Sequence, residues 1–131
     1  MHEVTMAPPL VWSRSFPADA AQIREARSFL AGILGDLPKA DEAVLCLSEL
    51  ATNATVHSRS RAGGHFTVRI ELHSQHLRVS VDDQGGSWAH PGDGDERHGR
   101  GLLIVSRLAS SWGRDGQGAD GWTVWFEMDR S

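Results

Sequence analysis

Apolar positions recur along this chain with two periods. In "HFTVRIEL" (65–72), Phe66, Val68, Ile70 and Leu72 share one side of an alternating pattern, and in "HLRVSVD" (76–82), Leu77, Val79 and Val81 do the same. Period-two alternation predicts two strands, and the short "HSQH" between them predicts a hairpin. "LVWSRSF" (10–16) alternates Val11, Ser13 and Ser15 against Trp12, Arg14 and Phe16, a first strand that Pro17 stops. Ile23, Ala26, Leu30 and Leu34 are spaced for one face of a helix from about Asp19 to Leu34, with Gly35 as its C-terminal cap. "DLP" opens a second helix with Pro38 in its first turn, running to His57. "GLLIVSRLASSWG" (101–113) predicts a third helix whose packing stripe is Leu102, Val105, Leu108 and Trp112. "GWTVWFEM" (121–128) predicts a last strand after the turn-like "DGQGADG". The order β-α-α-β-β-α-β, with antiparallel strands grouped beside helices, predicts a two-layer sandwich of the α+β type. Residues 1–9 read as a flexible arm and 10–131 as the domain.

Composition narrows the function classes. The chain has 131 residues, one ordinary domain, and 40% apolar residues are enough for a core. A net charge of -4, with basic residues scattered, carries no nucleic-acid footprint. Cys46 is the sole cysteine, so no internal disulfide forms. No apolar run reaches membrane-spanning length and "MHEVTMAPPL" lacks the parts of a signal peptide, so a cytoplasmic protein is expected. His73 and His76 flank a turn without a third partner and are not read as a metal site.

The second helix carries the first candidate chemistry. On a wheel, Val44, Leu47, Leu50, Ala51 and Ala54 gather on one side, and Glu42, Cys46, Glu49, Asn53 and His57 on the other. That second side is either a solvated face or a site. Asn offers a neutral oxygen to a hard cation such as Mg²⁺, and a Glu one turn earlier can deprotonate a nucleophile beside that cation. Cys46 reads as a small packing residue.

Two glycine-containing segments follow. In "SVDDQGG" (80–86), Asp83 continues the parity of Leu77, Val79 and Val81, which places a carboxylate on the apolar side where it needs a donor. An exocyclic amino group of a purine is such a donor, and Gly85 would admit the ring; a plain turn is the alternative. In "HGRGLLIV" (98–105), Gly99 and Gly101 precede a helix whose free N–H groups could hold phosphate. Neither segment is specific alone.

In this order, "ExxxN" on a helix, "DxG" after a strand and "GxGL" opening a helix resemble the N, G1 and G2 boxes of the GHKL (Bergerat) ATP-binding fold, over nearly the whole chain. The form "ELATNATVH" and the ending "TVWFEM" are similar to the stand-alone anti-sigma-factor serine/threonine kinases. The resemblance implies a mixed, mostly antiparallel sheet covered by about three helices, with ATP and Mg²⁺ as cofactors. It implies that Asn53 ligates Mg²⁺ bridging the phosphates and that Glu49 is the general base. Asp83 would accept from the adenine amino group beside Gly85, and His57 would line the phosphate end. Gly99 and Gly101, with Arg100 and Leu102 in the same segment, would close a lid (86–98) and present N–H groups to phosphate. Thr123 matches a strand Thr that touches the nucleotide in this fold, or is an ordinary strand Thr. The lid is acidic, Ser87 stands where a second G1 glycine is usual, and Trp122 stands where relatives often carry Lys.

The activity so implied is an ATP-dependent protein serine kinase that phosphorylates an anti-sigma-factor antagonist and/or sequesters a sigma factor. The alternative is a nucleotide-gated protein-binding regulator without turnover. Partners would be that antagonist or the sigma factor, with a homodimer left open, and neither nucleic acid nor membrane.

Overall fold

The structure is a computed structural model that describes residues 8–57, 63–83, 96–116 and 121–130, with the backbone alone for 56, 57 and 96–100. The chain runs β1 (Leu10–Pro17), α1 (Ala20–Leu34), α2 (Ala40–His57), β2 (His65–Leu72), β3 (His76–Asp82), α3 (Glu96–Leu108), β4 (Ser111–Gly116) and β5 (Trp122–Asp129). The strands form one sheet in the order β1-β2-β3-β5-β4, and every pair is antiparallel. The expected mixture of strand directions is therefore absent among the described residues.

Local chemistry sets most boundaries. Asp19 caps α1: its backbone is extended and its Oδ1 accepts from the Gln22 N–H at 3.2 Å. Gly35 ends α1 with φ 56 and ψ -123, a backbone conformation open to glycine, while donating to the Ala31 carbonyl at 2.9 Å. Pro38 lies before α2 and not in its first turn, because Lys39 takes φ 69 and interrupts the helical backbone between them.

One face of the sheet buries Phe66, Val68, Ile70, Leu77, Val79, Val81, Val124, Phe126 and Met128 against the helices. α2 lies in the middle of the helical layer, packed on α1, α3 and the central strands. That position buries more than the predicted stripe: Cys46 is fully buried with Leu47, Leu50, Ala51 and Ala54, whereas Val44 is half-buried and Leu45 is exposed. A helix enclosed on three sides has a narrow solvated strip, here, among the described side chains, Asp41, Glu42 and Leu45.

The third helix departs from expectation at both ends. It begins at Glu96, so Gly99 and Gly101 lie within it and not ahead of it. Each interior glycine costs about 1 kcal/mol of helix propensity, which packing of the buried Val105 and half-buried Leu102 on the core offsets. It ends at Leu108, and 111–116 form the edge strand β4. Ser110 makes the exit: its N–H donates to the Glu127 carbonyl at 2.7 Å and its Oγ accepts from the Asp129 N–H at 3.2 Å. Trp112 thereby pairs with Phe126 across β5 and leaves the helical stripe.

The opposite, outer face of the sheet is covered by its own long side chains. Arg78 lies 4.1 Å over the Trp125 ring and bridges to Glu127 at 2.9 Å, while Trp125 lies against Gly113. Ser80, opposite Trp125, is buried beneath this layer.

Candidate functional site

α2 presents Glu49 and Asn53 one turn apart toward α3. A Cβ added at Gly101 would meet Glu49 Oε1 at 2.9 Å and Asn53 Nδ2 at 3.7 Å. Gly101 is therefore the point where α3 closes on the pair, and its lack of a side chain permits the approach. Its N–H lies beyond the first four amides of α3, which are the ones a helix leaves without intrahelical partners.

Asn53 is 5% exposed, and its Nδ2 has no hydrogen-bond partner among the described residues. Its polar neighbours on the helix are satisfied locally: Thr52 Oγ1 donates to the Ser48 carbonyl at 2.7 Å and Thr55 Oγ1 to the Thr52 carbonyl at 3.0 Å. A buried amide without a partner costs about 1–3 kcal/mol. Rotating the carboxamide by a half-turn would present Oδ1 at the same spot. A buried amide oxygen beside a carboxylate is a donor set that fits Mg²⁺ carried by phosphates.

Cys46 lies between Glu42 and Glu49 on α2. Burial pushes its thiol up to about 12, and the Glu49 and Glu42 carboxylates add to the rise. It stays a neutral thiol, with no nucleophilic character at ordinary pH.

At the end of β3, Asp83 sits directly across from Trp122. Its N–H donates to the Trp122 carbonyl at 2.9 Å, and its Oδ1 accepts from the Trp122 N–H at 3.3 Å. The carboxylate thus replaces the carbonyl that would have continued the ladder.

The structure does not bring Thr123 to this group. Thr123 pairs with Asp82, one step out of phase with Val124, Phe126 and Met128, and so lies on the outer face. Its hydroxyl donates to Asp82 Oδ1 at 2.5 Å. The residue that faces the helices beside Asp83 is Trp122, which is half-buried against the core and carries Arg114 at 5.0 Å over its ring. The alternation of Val124, Phe126 and Met128 is the sequence signal that could have found Trp122. Leu102 is half-buried against the core, and His57 ends α2. Gly99 and Arg100 are in the α3 backbone. Gly85, Ser87 and residues 86–95 of the expected lid lie outside the described residues, and the lid's last three residues, 96–98, are the first turn of α3.

Among the described residues no three His, Cys, Asp or Glu side chains converge as metal ligands. His73 and His76 stack with centroids 4.3 Å apart, and His73 Nε2 lies 3.0 Å from Glu71 Oε1. Burial raises the Glu71 carboxyl, but hydrogen bonds from His73 and Arg69 and their charges outweigh it and hold the group below its ordinary value. No described helix is long and apolar enough to cross a membrane.

The profile of the histidine kinase-like ATPase domain matches residues 16–128. Solved structures share the fold, two of them as follows. The RsbU and RsbW domains of Rv1364c from Mycobacterium tuberculosis align with a TM-score of 0.73 and 22% identity over 95% of this chain and 34% of that one, so the present chain spans about a third of it. The SiaB–SiaC complex from Pseudomonas aeruginosa aligns with a TM-score of 0.55 and 15% identity over 93% of this chain and 91% of that one. No curated protein matches the chain in sequence.

Proposed function

The chain belongs to the histidine kinase-like ATPase domain family, and we propose that it is an ATP-dependent protein serine kinase of the anti-sigma-factor kind. The observation that carries this reading is the convergence on Gly101 of Glu49 and the buried Asn53 side chain, whose Nδ2 has no hydrogen-bond partner among the described residues. A carboxylate beside a buried amide, closed over by a second helix, is an arrangement for catalysis at a phosphate-bound cation.

Bound Mg²⁺ would neutralise phosphate charge and polarise the transferred group. Asn53 would hold that ion through its amide oxygen. Glu49 would accept at Oε1 the proton of a serine hydroxyl as the hydroxyl oxygen attacks the γ-phosphorus of ATP and the bond to the bridging oxygen breaks, with ADP as the leaving group. Asp83 would accept from the adenine amino group, and the backbone of Trp122 fixes the orientation in which it does so. Closure of α3 at Gly101 would exclude water from Glu49, so that the hydroxyl of a protein substrate is favoured over hydrolysis. The substrate of this reading is a small antagonist of an anti-sigma factor. One of the similar structures is a complex of SiaB with SiaC, which supports a protein partner.

The test is transfer of radiolabelled γ-phosphate to antagonist-type proteins encoded near this gene. Labelling of one serine, dependent on Mg²⁺, is the expected result. Tight ATP binding with no transfer to any of them would sink the kinase reading and leave a nucleotide-gated binding module.

A further inference from the structure

We propose that Trp122, with Arg114 on its ring, is the wall that makes the base end of this site select purine over pyrimidine nucleotides; the inference rests on the ATP-site reading above. Asp83 alone cannot make that choice. Its carboxylate reads an exocyclic amino donor, and cytosine offers one at N4 as adenine does at N6. Discrimination between the two bases must come from a group that senses ring size.

The sheet places such a group beside Asp83. Val81 pairs with Val124 and Asp82 with Thr123, so Asp83 and Trp122 are the next cross-strand pair, on the face that carries Val81 and Val124. Directly opposed residues have Cβ atoms about 5 Å apart. A base that reaches the Asp83 carboxylate on this face is therefore in contact with the indole. Trp122 also pairs with Gly116 of β4, and Arg114, two residues away on the same face, lies over the ring at 5.0 Å. Asp83, Trp122 and Arg114 form a row across β3, β5 and β4. One end of the row fixes the amino group, and the flat indole, stiffened by the guanidinium, lies along the ring. The two-ring purine covers this wall with both rings, and a pyrimidine held at the same carboxylate covers it with one.

The wall is fixed in place. The Trp122 backbone is bonded to Asp83 in both directions, and its indole packs against the core. Neither partner can move without the other.

The experiment measures ATP, GTP and CTP affinity by calorimetry for the full chain, for Trp122→Leu and for Trp122→Phe. The parent is expected to bind ATP more than tenfold tighter than CTP. Base–aromatic stacking accounts for roughly tenfold in affinity, so Trp122→Leu should bring ATP close to CTP while ATP remains preferred over GTP. Trp122→Phe keeps a ring and should fall between the two. Circular dichroism of both variants checks that the sheet is intact, and the Phe variant keeps the test decisive if the Leu variant does not fold. An unchanged ATP-to-CTP ratio in the folded variants would overturn the role of Trp122 and leave the ATP site standing. Absence of any ATP binding by the parent would overturn the ATP site, and this inference with it.

Discussion

Gly101 of α3 rests on Glu49 of α2, so closely that a methyl group there would meet Oε1 at 2.9 Å. Gly101→Ala separates stability from function at this contact. The obstructing atom is the far end of a flexible side chain, so Glu49 can swing aside, and alanine improves helix propensity by about 0.5–1 kcal/mol. The melting temperature should hold or rise slightly. Phosphate transfer should fall, because the displaced atom is the proposed proton acceptor. Thermal melts and a transfer assay on one preparation check both halves.

Asn53→Ala should abolish Mg²⁺-dependent ATP binding without unfolding the protein. The side chain is buried with an unpartnered Nδ2, so truncation removes a penalty of about 1–3 kcal/mol that partly offsets the small cavity it leaves. Calorimetry showing parental Mg·ATP affinity in this variant would exclude Asn53 as the ligand.

Asp83 should discriminate adenine from guanine. Guanine presents a carbonyl where adenine presents the amino donor, and a carboxylate facing an acceptor is mismatched by about 1–3 kcal/mol, or about tenfold to a hundredfold in affinity. Equal ATP and GTP binding by the parent would remove this role. Asp83→Ala should also loosen the β3–β5 junction, because Oδ1 accepts from the Trp122 N–H.

Glu49→Ala should bind ATP nearly as well as the parent and transfer phosphate on the order of 10²–10⁴ times more slowly, the typical loss with a positioned general base. Single-turnover kinetics at saturating ATP isolate that step. A parental rate would mean that another group takes the proton.

Cys46 supplies a pH signature. Its folded thiol is pushed from 9.0 up to about 12, by burial first and then by Glu49 and Glu42. A raised folded value means that the folded state retains a proton the unfolded chain loses, so the contribution is complete below pH 9.0 and declines as pH rises toward about 12. Denaturant titrations should show stability falling above pH 9.0 in the parent, with a shallower slope in Cys46→Ala. In the folded protein at neutral pH, iodoacetamide should leave the thiol unmodified.

Much of this protein was determined by local sequence. Alternation in 65–72 and 76–82 marked β2 and β3 to the residue, because a strand with one buried face must repeat every second position. Asp19 and Gly35 marked the ends of α1, because their capping chemistry acts within a turn. Helical spacing put Glu49 and Asn53 on one face, and parity put Asp83 on the apolar side of its strand. What local pattern could not decide was what each face meets. Cys46 and Asn53 share a wheel face with charged Glu42, yet both are buried, because α2 is enclosed by α1, the sheet and α3. Residues 111–113 carried a helical stripe into Trp112, yet became an edge strand, because β5 offered an unpaired row of backbone groups that no helical period records. Gly99 and Gly101 read as a break before a helix, but entered it once Leu102 and Val105 packed on the core. In each case the deciding partner lies far away in sequence, so burial, pairing and the contact of Gly101 with Glu49 exist only once the layers are assembled.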